Sequence, residues 1–143
     1  MLTIREAEME LKTGAGLTPG PWEQHSRSVG QNARRIAEKI PWLNPDKAYV
    51  FGLMHDIGRR FGIRQILHIF EGYEYMLALG HDDIARICLT HSFPLKNADT
   101  YIGRSGCTPE QKAFLEAFLQ NTEYDDYDLL IQLCDAMSLP VGA

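Results

Sequence analysis

Apolar residues recur at helical spacing along nearly the whole chain, and no segment alternates apolar and polar residues for long enough to predict a strand. Capping boxes, prolines and glycines mark where the helical segments begin and end. The segment from 92 to 107 is rich in Asn, Asp, Thr, Gly and Ser, which is typical of a surface loop. The pattern predicts seven helices, at residues 3–16, 21–40, 44–58, 64–79, 81–91, 108–120 and 125–138.

The same pattern indicates how the chain is organised. No internal repeat, low-complexity tract or linker separates one part from another, and 143 residues suffice for one hydrophobic core. We therefore predict a single all-α domain over residues 1–143, with its core at roughly 20–140 and an N-terminal helix at 1–16.

Composition argues against several classes of partner. The chain has 14 basic and 19 acidic residues, a formal charge of −5, and no long Lys/Arg run, which argues against a nucleic-acid duplex. Acids interrupt the apolar residues at the N-terminus, and no apolar stretch approaches the ~20 residues of a spanning helix, so we expect neither signal peptide nor membrane partner. Three widely spaced cysteines without a Cys-x-x-Cys pair fit free thiols, so we expect a cytoplasmic protein.

Acidic residues stand in two segments that are otherwise apolar. His55 and Asp56 end the segment AYVFGLMHDI, and Asp135 lies within LLIQLCDAM. Helices this apolar are expected to be largely buried. Burying an ionised carboxylate is prohibitive unless a cation, a metal or several hydrogen-bond donors accompany it. Both acids are therefore candidate ligands.

Four of the five histidines are placed to point inward from different helices. A single histidine on an apolar face is usually a core residue, but four histidines with two acids predict a metal site. His81 follows Gly80 at a predicted helix start outside any apolar run, so we predict that it is not a ligand. The inward set comprises His25, His55, His68 and His91, with Asp56 and Asp135.

This donor set restricts the metal. Imidazole together with carboxylate suits Fe, Mn, Co, Ni or Zn better than Ca or Mg, and we expect one or two such ions. Two divalent ions carry +4 and the two carboxylates −2, which leaves a local charge of +2. Such a site would attract a phosphate and would lower the pKa of a bridging water towards neutrality.

Two glycines lie in the middle of predicted helices, each about one turn from a histidine: Gly52 and Gly72. A glycine there costs about 1 kcal/mol of helix stability relative to alanine. The missing side chain leaves room beside the imidazole for an ion, a water or a substrate. It equally permits close packing of two helices, and both interpretations stay open at this point.

The pattern H…HD…D resembles the HD superfamily of metal-dependent phosphohydrolases. The resemblance runs from residue 22 to residue 140 and implies an all-α HD-type helical bundle with a central metal site. Its residues are His25 in WEQHSRSV, His55 and Asp56 in LMHDIGRR, and Asp135 in LCDAMSLP.

Further residues resemble the dinuclear branches of that superfamily. His68 and Gly72 form an H-x-x-x-G element, and His91 in LTHSF resembles a later histidine that binds the second metal. By this resemblance Asp56 would bridge two ions. The remaining ligands would be His25, His55 and Asp135 on the first ion, and His68 and His91 on the second.

The resemblance implies hydrolysis of a phosphoester or phosphoanhydride in a nucleotide or another small phosphorylated molecule. A metal-activated hydroxide would attack phosphorus, with His55 and Asp56 at the catalytic centre. Arg59 stands where many members have lysine, and its guanidinium could bind phosphate oxygens through two parallel hydrogen bonds. Other candidates for this contact are Arg60, Arg64 and Arg104, although a surface role is at least as expected for Arg60 and Arg64.

The resemblance leaves other functions open. The histidine pattern leans towards the branch that includes diadenosine tetraphosphate hydrolases, and the missing GYP triad gives no support to cyclic-dinucleotide cleavage. HD-fold di-iron oxygenases share the six-ligand pattern, and a non-catalytic regulatory or binding domain could retain a metal. The short chain has little room for a specificity subdomain, so a homodimer that completes the pocket is a further expectation.

Overall fold

Helices make up most of the protein in the computed structural model, which describes residues 1–63, 66–99 and 107–138. No strand occurs in these ranges, so the predicted all-α fold class is confirmed. No helix within them is both long enough and apolar enough to cross a membrane. The elements are α1 (Ile4–Leu17), α2 (Trp22–Ala37), α3 (Pro45–Met54), a 3₁₀ helix (Ile57–Phe61), α4 (Leu67–Ala78), α5 (Asp82–Thr90), α6 (Pro109–Asn121) and α7 (Asp126–Met137).

Local capping sets the ends of several helices. Thr3, Thr108 and Asp125 each accept a hydrogen bond from the backbone N–H three residues later, and that residue's side chain caps them in return. After α4, Gly80 has a φ of 84°, which glycine adopts without strain, and its N–H bonds to the carbonyl of Leu77. Because such signals are local, the predicted ends of α1, α6 and α7 lie within one residue of the observed ones.

The third helix ends earlier than the prediction of 44–58. Helix α3 stops at Met54, and the 3₁₀ helix begins at Ile57. His55 and Asp56 lie in the break between them. Successive side chains of a continuous α-helix diverge by about 100°. The break instead brings this pair to one side, with His55 Nε2 3.5 Å from Asp56 Oδ2.

Glycines bring the helices of the site close together. A Cβ added to Gly52 would lie 2.4 Å from the Cα of Gly30, so α3 packs directly on the backbone of α2. A Cβ on Gly72 would lie 3.1 Å from the Sγ of Cys88 on α5 and 3.2 Å from the backbone nitrogen of Gly58. The packing interpretation is therefore confirmed for both predicted glycines, and the space that they leave is filled by protein.

The 3₁₀ helix approaches α4 in the same way. A Cβ on Gly58 would lie 2.0 Å from the carbonyl oxygen of His68, which no side chain could tolerate without a backbone shift. Gly58 lies two residues after Asp56, and its contact is with the backbone of a predicted metal ligand. The spacing between Asp56 and His68 thus depends on a residue without a side chain.

Two apolar clusters hold the bundle together, and α4 and α5 contribute to both. The larger cluster joins these two helices to α1, α2, α3 and α7. In the smaller cluster, Leu115 and Leu119 of α6 are fully buried against Ile69, Leu89 and Phe93. The helices that carry His68 and His91 are consequently packed from two sides.

We predict that Gly52→Ala destabilises the protein by about 3 kcal/mol or more, because its methyl group would overlap the backbone of α2 rather than a movable side chain. Thermal or urea unfolding measures the change. Gly16→Ala is the matched control: its Cβ would meet nothing within 4 Å, and it should stabilise α1 by about 0.5–1 kcal/mol. Equal effects at both positions would show that the α2–α3 contact is looser than described.

Candidate metal centre

The six predicted ligands come together although they lie on different elements. Four imidazoles and the carboxylate of Asp56 are buried, whereas the side chain of Asp135 is 27% exposed. Asp135 therefore lies on the side of the cluster that solvent reaches. The elements that carry these residues are α2 for His25, the α3–3₁₀ break for His55 and Asp56, α4 for His68, the end of α5 for His91, and α7 for Asp135.

The carboxylate of Asp56 lies between two pairs of histidines. Its Oδ1 is 3.0 Å from Nε2 of His68 and 3.2 Å from Nε2 of His91. Its Oδ2 is 3.5 Å from Nε2 of His55 and 3.9 Å from Nε2 of His25. Each oxygen thus faces one pair, as required of a carboxylate that bridges two ions.

Asp135 completes the first of these two sets. Its Oδ1 is 2.7 Å from Nε2 of His25 and 3.3 Å from Nε2 of His55. The atoms of His25, His55 and Asp135 lie within 4.8 Å of one another, close enough to share one ion. A second group with the same property consists of His55, Asp56 and His91.

Backbone carbonyls determine which nitrogen of each ring faces the centre. A carbonyl only accepts hydrogen bonds, so an Nδ1 bonded to it must carry the proton, which leaves the lone pair on Nε2. This arrangement orients metal-binding histidines in proteins generally. The bonds are from His25 Nδ1 to Ser138 O, from His55 Nδ1 to Gly52 O at 2.6 Å, and from His91 Nδ1 to Ile87 O at 3.2 Å.

The atoms that face the centre are ring nitrogens and carboxylate oxygens at short distances from one another. Nε2 of His25 lies 3.3 Å from Nε2 of His55, and both face the same oxygen of Asp135. On the other side, Nε2 of His68 lies 3.4 Å from Nε2 of His91, with Asp56 Oδ1 close to both. Ring nitrogens and carboxylate oxygens that converge in this way are typical of a cation site. The residues present therefore fit Fe, Mn, Co, Ni or Zn, whose identity the donor set does not specify.

Charges in the cluster support one another in the absence of metal. Burial opposes the charge of His55, but Asp56 and Asp135 outweigh it and raise the pKa of His55 to about 9. Burial likewise opposes the charge of Asp56, yet His55 and His68 hold the pKa of Asp56 well below its usual range. Burial lowers the pKa of His68, and Asp56 only partly counteracts it. The metal-free centre therefore keeps a proton on His55.

The arginines that follow the HD pair differ in their surroundings. Nε of Arg59 lies 3.3 Å from Asp56 Oδ2, and the side chain is 24% exposed, so Arg59 borders the centre. Arg60 points elsewhere: it donates to Glu10 at 2.9 Å and to the hydroxyl of Tyr75 at 2.6 Å, joining the 3₁₀ helix to α1 and α4. Arg60 is therefore neither the phosphate contact nor the solvated surface residue considered from the sequence, but a half-buried side chain that joins three elements. The other two candidates, Arg64 and Arg104, lie outside the described residues.

His81 lies at the N-terminal cap of α5. Its exclusion as a ligand stays a prediction. Sequence reasoning missed the carbonyls of Ser138, Gly52 and Ile87, since a backbone acceptor has no sequence signal. Asp128 is a further fully buried acid, which the sequence analysis did not single out.

A helical bundle that directs four imidazoles and two carboxylates to one point is an all-α domain with a candidate metal centre. A model of the HD domain family matches residues 22–139, and the chain belongs to this family. Searches of curated proteins and of solved structures found no match. Proteins of the HD family are mostly metal-dependent hydrolases. The matched region contains all six predicted ligands.

We predict that Asp56→Ala loses metal at both positions, because each of its oxygens faces one pair of histidines. His68→Ala should lose only the second ion and fall from about two ions per chain to about one. Metal analysis of protein purified without chelator measures both changes. His81→Ala is the control and should retain the wild-type content. Full metal content in Asp56→Ala would refute the site assignment.

We predict that metal binding releases about one proton per chain between pH 7 and 8, because His55 is protonated below about pH 9 in the metal-free centre and must be neutral to bind. Affinity should therefore fall as the pH decreases below 9. Calorimetric titrations in buffers of different ionisation enthalpy count the protons. A binding enthalpy that is independent of the buffer would show that no proton is released, and therefore that His55 is already neutral in the metal-free centre.

Proposed function

We propose that the protein is a metal-dependent phosphohydrolase that acts on a small phosphorylated molecule, with a nucleotide as the favoured substrate. The observation that carries the proposal is the position of Asp56, with one oxygen towards His68 and His91 and the other towards His25 and His55. This arrangement supports two ions that share a ligand. Hydrolysis of phosphoesters is a common reaction of such two-metal sites.

Bound ions would supply a nucleophilic water at neutral pH and stabilise the charge that develops on the phosphate oxygens. The protein holds the rings of His25, His55 and His91 by their Nδ1 atoms, so each Nε2 is fixed before metal binds. Asp135 and Arg59 are the partly exposed groups of the centre. Substrate would therefore approach along the side that these two residues border.

Arg59 is proposed to bind and orient the phosphate. In the absence of substrate its Nε contacts Asp56 Oδ2 at 3.3 Å, which holds the guanidinium at the edge of the centre. The planar guanidinium can bind a phosphate group through two parallel, charge-assisted hydrogen bonds. The chain as a whole carries −5, so attraction of an anionic substrate must come from this local cation and the ions.

We predict that the metal-loaded protein hydrolyses at least one member of a panel of p-nitrophenyl phosphate, nucleoside mono-, di- and triphosphates, and dinucleoside polyphosphates. Released phosphate, p-nitrophenol and nucleotide products are each measured, because cleavage between two nucleosides yields nucleotides without free phosphate. Arg59→Ala should lower kcat/KM by about tenfold to a hundredfold, the equivalent of one charge-assisted hydrogen bond. The kcat/KM of Arg59→Lys should lie between those of Arg59→Ala and the wild type, because lysine keeps the positive charge but cannot form two parallel hydrogen bonds to a phosphate. Arg5→Ala, an exposed arginine on α1, is the control and should leave kcat/KM unchanged.

The same preparation distinguishes the alternatives. An oxygen-dependent product together with a mixed-valent iron signal would identify a di-iron oxygenase instead. Tight metal binding without turnover of any substrate would identify a non-catalytic domain. Size measurement with and without metal would test for the homodimer that the short chain suggests.

A further inference from the structure

A second buried carboxylate lies in the protein outside the candidate centre. Asp128, on the first turn of α7, is fully buried. Its Oδ1 accepts a hydrogen bond from the hydroxyl of Thr90 at 2.9 Å. Its Oδ2 accepts from the backbone N–H of Asp125 at 2.9 Å and from the guanidinium of Arg86. Asp128 is thus bonded to two residues of α5, the helix that ends beside His91.

Gln132, one turn after Asp128, is bonded to the same part of α5. Its amide donates to the carbonyl of Thr90 at 3.1 Å, and only 7% of the residue is exposed. Thr90 is therefore held both at its hydroxyl and at its carbonyl, and the next residue is His91. Further along the same face of α7, about two turns after Asp128, lies Asp135.

These contacts connect the two halves of the candidate centre. Asp135 belongs with His25 and His55, whereas His91 belongs with His68. Helix α7 carries Asp135 itself and holds His91 in place through Thr90. The distance between the two ligand sets across this side of the centre consequently depends on how α5 sits on α7.

Stability alone is a weak explanation for these polar contacts. A buried ion pair often contributes no more than apolar residues of similar volume, because both charges must leave water. Polar contacts differ from apolar ones in fixing a single register between two helices, since a shift leaves donors and acceptors unpaired. A fixed register between α5 and α7 keeps His91, the residue after Thr90, at one position relative to α7.

We propose that Asp128 and Gln132 are positioning residues for the second ion: by holding Thr90, they set His91 at the distance from Asp135 that two-ion binding requires. The inference rests on the proposed metal site, though not on the reaction that the site performs. It assigns to the buried face of α7 a role in metal affinity, exerted through α5. The relevant measurement is metal binding by the folded chain.

Titration of the metal-free protein with Co²⁺, followed by absorption and calorimetry, tests the proposal. Thr90→Val removes the hydroxyl but keeps the shape, and Gln132→Leu removes the amide. Each substitution should lower the affinity for the second Co²⁺ ion by about tenfold to a hundredfold, which is typical for the loss of a residue that orients a metal ligand. The first ion should bind as in the wild type. Thr90→Ser keeps the hydroxyl and should restore the affinity.

Leu11→Ala is the control for a loss of stability alone, because Leu11 is fully buried in the larger apolar cluster on α1 and has no polar group that could hold α5 on α7. It should lower the unfolding temperature and leave both Co²⁺ affinities unchanged below that temperature. Wild-type affinities in Thr90→Val and Gln132→Leu would overturn the proposal, as would equal weakening in Leu11→Ala or a wild type that binds only one ion. A wild type that loads two ions but hydrolyses no phosphoester would refute the proposed function alone.

Discussion

The helices of this bundle are arranged around one buried carboxylate, that of Asp56. An ionised carboxylate at the centre of an apolar bundle is tolerated only with a compensating positive charge or several hydrogen-bond donors. Four imidazoles surround it, and their outer nitrogens are bonded to backbone carbonyls in three cases. Without metal, a proton on His55 provides part of the compensation. The arrangement is therefore prepared for a cation before one binds, which is what links the fold to metal chemistry.

Close packing of backbones provides the rigidity that such a centre needs. Gly52 on Gly30 brings α3 against α2, and Gly58 brings the 3₁₀ helix against the backbone of His68. These contacts place the histidines of three elements within 3.9 Å of the carboxylate of Asp56. Glycine weakens each helix by about 1 kcal/mol. The bundle thus trades local helix stability for close approach of its helices, and the same positions that pack the core also define the site.

Much of the fold and the identity of the candidate ligands could be predicted from the chain itself. Capping boxes at Thr3 and Thr108 act within one helical turn, so they mark helix ends wherever the chain goes. Asp56 and Asp135 were conspicuous because charged groups in apolar segments need partners, whatever the packing. The break after Met54 was not predictable, since the apolar pattern continues through Ile57, which is buried in either geometry.

The order of residues along the chain is enough to predict an all-α HD domain and to select four histidines and two acids as candidate ligands. The packing of the helices had to be known before one could say which oxygen of Asp56 faces which pair of histidines, whether Gly72 opens a space or closes a contact, and that Arg60 bonds to Glu10. The reason lies in how far along the chain each signal acts. Periodicity and capping act over a few residues, whereas His25 and Asp135 meet across 110 positions, at a distance set by how every helix between them packs.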